Sequence, residues 1–325
     1  MIYANAPATR GRLTGKKGIL MNPRYRLAAV CALAILGASA CAPAPGRPGA
    51  SAEPRRQDAR MAGIQASAEK LTPLQEKMPP VAPGEWRSYW HERDESPQAY
   101  AHSRPATVDA KRTTLYIQPL GRFPARQEAQ HGIMREFLEI YFGTPVTLLP
   151  TLAVEDLPLR ARKQRGRETL LNVIEYTDRF LKPRLPGDAW GIMTVTSLDL
   201  YKNEGITGLY GDTLLFGRAG VISWYHLGGD LSLMLKGVSH ECGHMLTLRH
   251  CQRHLCNMNG RITLDEFRRA PLWLCPDCMA KLAYAAPVDM AARYARLADF
   301  CARHGLAREA EYYRRARGLA TAPGQ

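Results

Sequence analysis

The 325-residue sequence carries no acidic residue in its first forty positions, shows no internal repeat, and has only eight cysteines. The lack of a repeat removes solenoid and propeller architectures. The lack of early acids matters for the formal charge of +14, since Arg10, Arg12, Lys16, Lys17, Arg24 and Arg26 stand there unopposed, leaving 38 basic against 30 acidic residues beyond them. Much of the basicity therefore belongs to a leader, and the charge is no argument for a nucleic-acid partner. The arginine-rich tail "CARHGLAREAEYYRRARG" has acids interspersed, as a solvated helical face does. A hydrophobic content of 46% with 23% charge describes an ordinary globular chain, long enough for one large domain or two small ones.

The leader "MNPRYRLAAVCALAILGASAC" has a short basic region, an apolar run over residues 27–37 and then small residues before Cys41. That run is too short for a permanent transmembrane helix, which needs about 20 residues. It reads as an export signal, with Met21 a possible true start. Ala38, Ser39, Ala40 and Cys41 resemble a bacterial lipoprotein signal, which implies a lipidated Cys41, membrane attachment and a place in a bacterial cell envelope. Residues 1–41 are thus read as leader and residues 42–108 as a tether and transition. Up to about residue 83 the tether is rich in Pro, Ala, Gly and charge, without hydrophobic period, and is expected to be mostly disordered.

Beyond it, "TTLYIQPLG" reads as a strand, "RQEAQHGIMREFLEIYFG" as a helix stopping at Gly143, "PVTLLP" as a short strand, "RETLLNVIEYTDRFLK" as a helix and "WGIMTVTSLDLY" as a strong strand. This alternation predicts an α/β fold with a mixed, mostly parallel sheet. "LLFGRAGVISWY" reads as two short β runs that follow without a helix, so an antiparallel edge strand or hairpin is expected. A long helix over residues 230–246 then starts at Asp230 as N-cap, and residues 287–325 form a helical tail that could turn at Gly305.

That long helix ends in "HECGHMLTLRHCQRHLCNM", which packs four of nine histidines and three of eight cysteines into one stretch. His240 and His244 are one turn apart on one face, so both imidazoles can reach one ion, and Glu241 can stand beside it as the base that activates water. On a continued helix His250 would lie about 9 Å beyond His244 along the axis. The chain must leave the helix and double back for His250 to ligate the same ion. Cys251 and Cys256, with Cys275 and Cys278, have the spacing of a four-cysteine zinc site, while export leaves disulfides as the other possibility. Cys242 and Cys301 read as small core residues.

His240, Glu241, His244, His250, Cys251, Cys256, Met258, Cys275 and Cys278 together resemble the signature of the archaemetzincin family of zinc proteases, and "LYIQPLG", "GIMTVTSLDLY" and "LLFGRA" are similar to its strands. The resemblance covers roughly residues 112–300. It implies a metzincin-like zinc peptidase domain, placed at residues 109–286, and two zinc ions per chain. The catalytic zinc is held by His240, His244 and His250 with Glu241 as general base, and the structural zinc by Cys251, Cys256, Cys275 and Cys278. Met258 would pack beneath the catalytic site, and a strand around residues 214–219 would form the rim on which an extended peptide aligns. One residue departs from the metzincin pattern: Thr247 stands where a glycine turns the chain toward the third ligand. A left-handed backbone there costs a β-branched residue roughly 1–2 kcal/mol.

The sequence therefore reads as a zinc metallopeptidase acting on a peptide or protein substrate. The alternative is a catalytically weak or inactive zinc scaffold that binds a peptide or envelope partner. A nucleic-acid-binding zinc module leaves Glu241 and the third histidine unexplained.

Overall fold

In the computed structural model, which describes residues 2–3 and 52–322, a mixed sheet separates two apolar cores. Of the segment read as leader, residues 4–41, which include the lipoprotein-type signal and Cys41, lie outside the described residues, and only Ile2–Tyr3 are described. In chain order the strands are β1 (Ile2–Tyr3), β2 (Thr114–Leu120), β3 (Val146–Leu148), β4 (Arg162–Arg165), β5 (Glu168–Asn172), β6 (Ala189–Thr196), β7 (Asp199–Asn203), β8 (Ile206–Thr213) and β9 (Ala219–Ser223). The helices are α1 (Ala52–Glu69), α2 (Trp86–Tyr89), α3 (Pro97–His102), α4 (Ala125–Phe142), α5 (Val173–Tyr176), α6 (Leu231–Met245), α7 (Leu264–Arg269), α8 (Pro276–Ala285), α9 (Met290–Arg303) and α10 (Ala307–Thr321).

The sheet runs β3-β2-β6-β9-β8-β7-β5-β4, with β1 added against β8. β3, β2, β6 and β9 are mutually parallel, as are β5 and β7, whereas β8 is antiparallel to both neighbours and β4 is an antiparallel edge. The α/β class, the mixed sheet and the antiparallel edge agree with the sequence reading. Because side chains alternate along a strand, Met193 and Ile222 enter one core with α4 and α6, and their neighbours Ile192 and Val221 enter the other with Tyr176 and Phe180.

Three expectations are corrected. The segment read as a helix over residues 167–182 begins as strand β5, because Gly166 at φ +62° closes a tight hairpin with β4 and only the chain after Asn172 turns helical. Apolar residues at 170, 171, 173, 176 and 180 satisfy either period until that turn is known. Residues 214–218 form a loop, with Phe216 and Arg218 at positive φ, and the antiparallel strand at this place is the glycine-containing β8. Third, the tether is from residue 52 helix α1, whose Met61 and Ala68 are buried together with Leu71 just beyond its end. Met61, Ile64, Ala68 and Leu71 recur at helical spacing, a stripe masked by the surrounding proline, alanine and charge. The stripe packs on α8, and Arg60 Nη2 donates to Tyr284 O at 2.8 Å.

The tail forms the helical hairpin α9–α10, turned at Gly305 (φ +71°), with Tyr312 stacked on Trp273 at 4.0 Å. Among the described residues no helix is long and apolar enough to cross a membrane. If α1 is part of the folded core, Met61→Ala costs about 2–5 kcal/mol in denaturant unfolding, the range for truncating a buried methionine. A dangling tether would leave the midpoint unchanged.

Candidate metal centres

Helix α6 is built to be buried along most of its length. Asp230 accepts from Leu233 N at 3.1 Å as N-cap, and every residue from 233 to 245 is buried. His240 and His244 thus project from one interior face. His240 Nδ1 donates to Asn257 O and His244 Nδ1 to Leu248 O, each at 2.7 Å. A carbonyl can only accept, so in a neutral ring each Nε2 is left with its lone pair. The two Nε2 atoms face one another at 3.0 Å. His250 is oriented alike: Nδ1 lies 3.1 Å from both oxygens of Glu92, and Nε2 is buried with no hydrogen-bond partner among the described residues. One ligand atom from each histidine lies within 4.8 Å of the others. Burial, and then the neighbouring imidazole for His240 and His244, holds the rings well below the usual histidine range. Three inward lone pairs on neutral rings repel unless a cation sits between them, so the donor set fits a metal ion.

The reversal that brings His250 back is a Schellman motif. Leu248 N donates to Gly243 O at 3.1 Å and Thr247 N to His244 O at 2.9 Å, with Thr247 at φ +62°. The left-handed residue expected from the departure at Thr247 is present, and the turn has not shifted. Tyr100, fully buried on α3, donates its hydroxyl to Leu246 O at 2.6 Å and supports the turn from outside.

Glu241 is fully buried behind the histidines, and neither carboxylate oxygen has a well-formed hydrogen bond among the described residues, although the Thr213 hydroxyl lies alongside. Burial, opposed and assisted by neighbouring charges that include Asp212, pushes its carboxyl up to about 7. Room for it is made by Gly211 on β8, where a Cβ would stand 3.1 Å from Glu241 Cγ and 2.9 Å from Val221 O. In front, a cleft of 490 Å³ is lined by Glu92, Asp212, Thr213, Leu214, Leu215, His244, Arg249 and His250. Leu214, Leu215 and Phe216 expose 38%, 37% and 54% of their surface, so an apolar lip borders the cleft where a strand was expected.

The second cluster is buried. Cys251, Cys256, Cys275 and Cys278 are buried and free, and their sulfurs lie within 4.8 Å of one another. Cys251 Sγ and Cys275 Sγ are 3.7 Å apart, far from the about 2.05 Å of a disulfide and close to the about 3.8 Å edge of a tetrahedron with Zn–S of about 2.3 Å. Met258 N and Cys275 N donate to Cys256 Sγ at 3.5 and 3.3 Å, as amides do toward thiolates. The cluster could hold a metal ion, and no disulfide joins these four cysteines in this structure. Met258 packs against the helix at Gly243, where a Cβ would meet its Sδ at 2.7 Å. Cys242 and Cys301 are buried in the core, and His254 lies in the loop between Cys251 and Cys256.

Glu92 and Trp86 are neighbours of the histidine cluster that sequence reasoning missed. Trp86 sets its ring edge on His250, centroids 4.6 Å apart. Glu92 is 158 residues from the histidine it holds, and no spacing rule reaches that far. The available signal was the acidic run around residues 92–95 facing an arginine-rich loop.

Residues 190–284, which contain the three histidines, Glu241 and all four clustered cysteines, match the model of peptidase family M54. Over 227 residues the chain is 28% identical to Archaemetzincin-2 of Rattus norvegicus, covering 58% of this chain and 63% of that protein. Over 236 residues it is 27% identical to Archaemetzincin-1 of Homo sapiens, covering 60% of this chain and 47% of that protein. The chain therefore spans less than two thirds of the length of each of these two relatives. The crystal structure of archaemetzincin from Methanopyrus kandleri aligns with 54% of this chain and 95% of its own, at a TM-score of 0.43 and 24% identity.

The left-handed threonine makes a stability prediction. Thr247→Gly relieves the strained backbone but loses a buried side chain and adds chain entropy to the unfolded state, so a net gain of about 0.5–1 kcal/mol is expected. Denaturant unfolding of the two proteins measures it, and a loss of stability would mean that the threonine side chain outweighs the strain.

Proposed function

We propose, from the M54 match and the similarity to archaemetzincins, that this chain belongs to that family and is a zinc metallopeptidase in which His240, His244 and His250 hold the catalytic zinc and Glu241 is the general base. The observation that carries the reading is the convergence of three Nε2 atoms at one end of an open cleft with a carboxylate behind them. A zinc ion held there supplies Lewis acidity toward the scissile carbonyl and lowers the pKa of water. Glu241 takes a proton from the attacking water and passes it to the leaving amine nitrogen, a cycle favoured by a carboxyl whose burial moves it toward neutral pH. The cation opposes that upward shift, so the working value is set by the two together. Fixed Nδ1 bonds keep the imidazoles in one tautomer, and burial keeps them neutral and available as ligands. The cleft mouth and its apolar lip receive the peptide chain.

A second zinc, on Cys251, Cys256, Cys275 and Cys278, pins the chain immediately after His250. Four thiols in one buried cluster cannot all ionise without a cation, and the two centres share the boundary between His250 and Cys251. We propose further that a lipidated Cys41 attaches the domain to an envelope membrane, so that Cys41→Ala should move the protein from the membrane to the soluble fraction.

The decisive experiment combines metal analysis with a peptide-library digest of the wild type and Glu241→Gln. Two zinc ions in each, with cleavage by the wild type and a loss of at least about 1,000-fold in the variant, is expected. Two zinc ions without cleavage by either protein would favour the scaffold. Cys278→Ser should release one zinc and lower the unfolding midpoint, and a variant with unchanged metal content and stability would contradict the structural site.

A further inference from the structure

Of the three imidazoles, two are held by backbone carbonyls from within the M54-matched segment, Asn257 O and Leu248 O. His250 differs. Its Nδ1 faces a side chain, the carboxylate of Glu92, which lies outside that segment. We propose that Glu92 is a positioning residue for the third metal ligand, presented by a strap, residues 75–96, that is docked on the cysteine loop for this purpose. The inference rests on the metallopeptidase reading of the histidine site.

The strap is anchored at three places along its length. Leu255 N donates to Glu76 O at 2.9 Å, and Lys77 bridges to His254, both within the loop between Cys251 and Cys256. Trp86 N donates to Glu266 Oε1 at 2.8 Å, and the Trp86 ring lies so close over Gly260 that any side chain there would collide with it. Glu85 pairs with Arg269. Past Glu92, Asp94 pairs with Arg253, which also reaches Asp277 at 3.6 Å, and Glu95 pairs with Lys281 and Arg249, each at 3.4 Å. Glu92 is thus bracketed by fixed points on both sides. Trp86 packs against the His250 ring while the carboxylate accepts a hydrogen bond from its Nδ1. A carboxylate behind an imidazole fixes the tautomer and raises the basicity of the opposite nitrogen, and loss of such a partner typically weakens metal binding by about 10–100-fold.

The test measures zinc affinity by chelator competition in the purified full chain, with His244→Ala as the reference that keeps only the cysteine-bound zinc. Glu92→Ala should bind zinc at the histidine site about 10–100-fold more weakly than the wild type, with the cysteine-bound zinc and the melting temperature of the chelator-treated protein unchanged. Should Glu92→Ala destabilise that protein, Glu92→Gln carries the test. It keeps the size and an acceptor oxygen but lacks the charge, and a loss of several-fold, smaller than that of Ala, is expected. Wild-type affinity in the Gln variant, or in a stably folded Ala variant, overturns the assignment. A wild-type protein that takes up no zinc at the histidines overturns the metallopeptidase reading as well, so the two failures are told apart by the wild type alone.

Discussion

The reversal at Thr247 is the constraint on which the histidine centre depends. A helix cannot deliver a third ligand six residues beyond its second, so the chain must change hand once and return. The left-handed residue does this while exposing three carbonyls: Gly243 and His244 accept from the returning amides, and Leu246 accepts from Tyr100. It also carries the Leu248 carbonyl to His244 Nδ1. A strain of roughly 1–2 kcal/mol is offset by hydrogen bonds worth about 0.5–1.5 kcal/mol each. The threonine is therefore tolerated because the turn is anchored from several directions.

A second junction lies at Asn257. Its carbonyl accepts from His240 Nδ1 and from the guanidinium of Arg261, and its side-chain nitrogen donates to Ser239 Oγ at 2.8 Å. Arg261 is buried over Phe267, and burial brings it down to about 10, so it stays cationic at neutral pH. A four-thiolate zinc is formally dianionic, and a buried cation beside Cys256 complements it. One short segment from Cys256 to Arg261 thus supplies a thiol ligand, the carbonyl behind His240, the methionine beneath α6 and a compensating charge.

Both candidate clusters were legible in the sequence because they are local. His240 to Cys278 contains every one of them, and the spacing of short motifs carries their geometry. The long helix, its Asp230 cap and the α9–α10 hairpin were legible for the same reason. What escaped was set by distant partners or by backbone hand. Residues 167–182 fit strand and helix alike until Gly166 decides, and residues 214–216 are apolar but stand in a loop bent by positive φ at Phe216 and Arg218. Helix α1 hid a true helical stripe inside a composition typical of linkers, and Glu92 has no meaning until the strap and the cysteine loop meet in space.

The strap also separates the site's assembly into two events of unlike range. The seven candidate ligands close loops of at most a few tens of residues, whereas the contact between Glu92 and His250 closes one of 158. Loop-closure cost grows only logarithmically, but long-range contacts form late because they gain nothing until both ends are structured. During synthesis the strap emerges from the ribosome well before its dock exists. Metal capture by the C-terminal ligands can then precede the arrival of the carboxylate, so that folding and maturation of the centre are distinct steps in time.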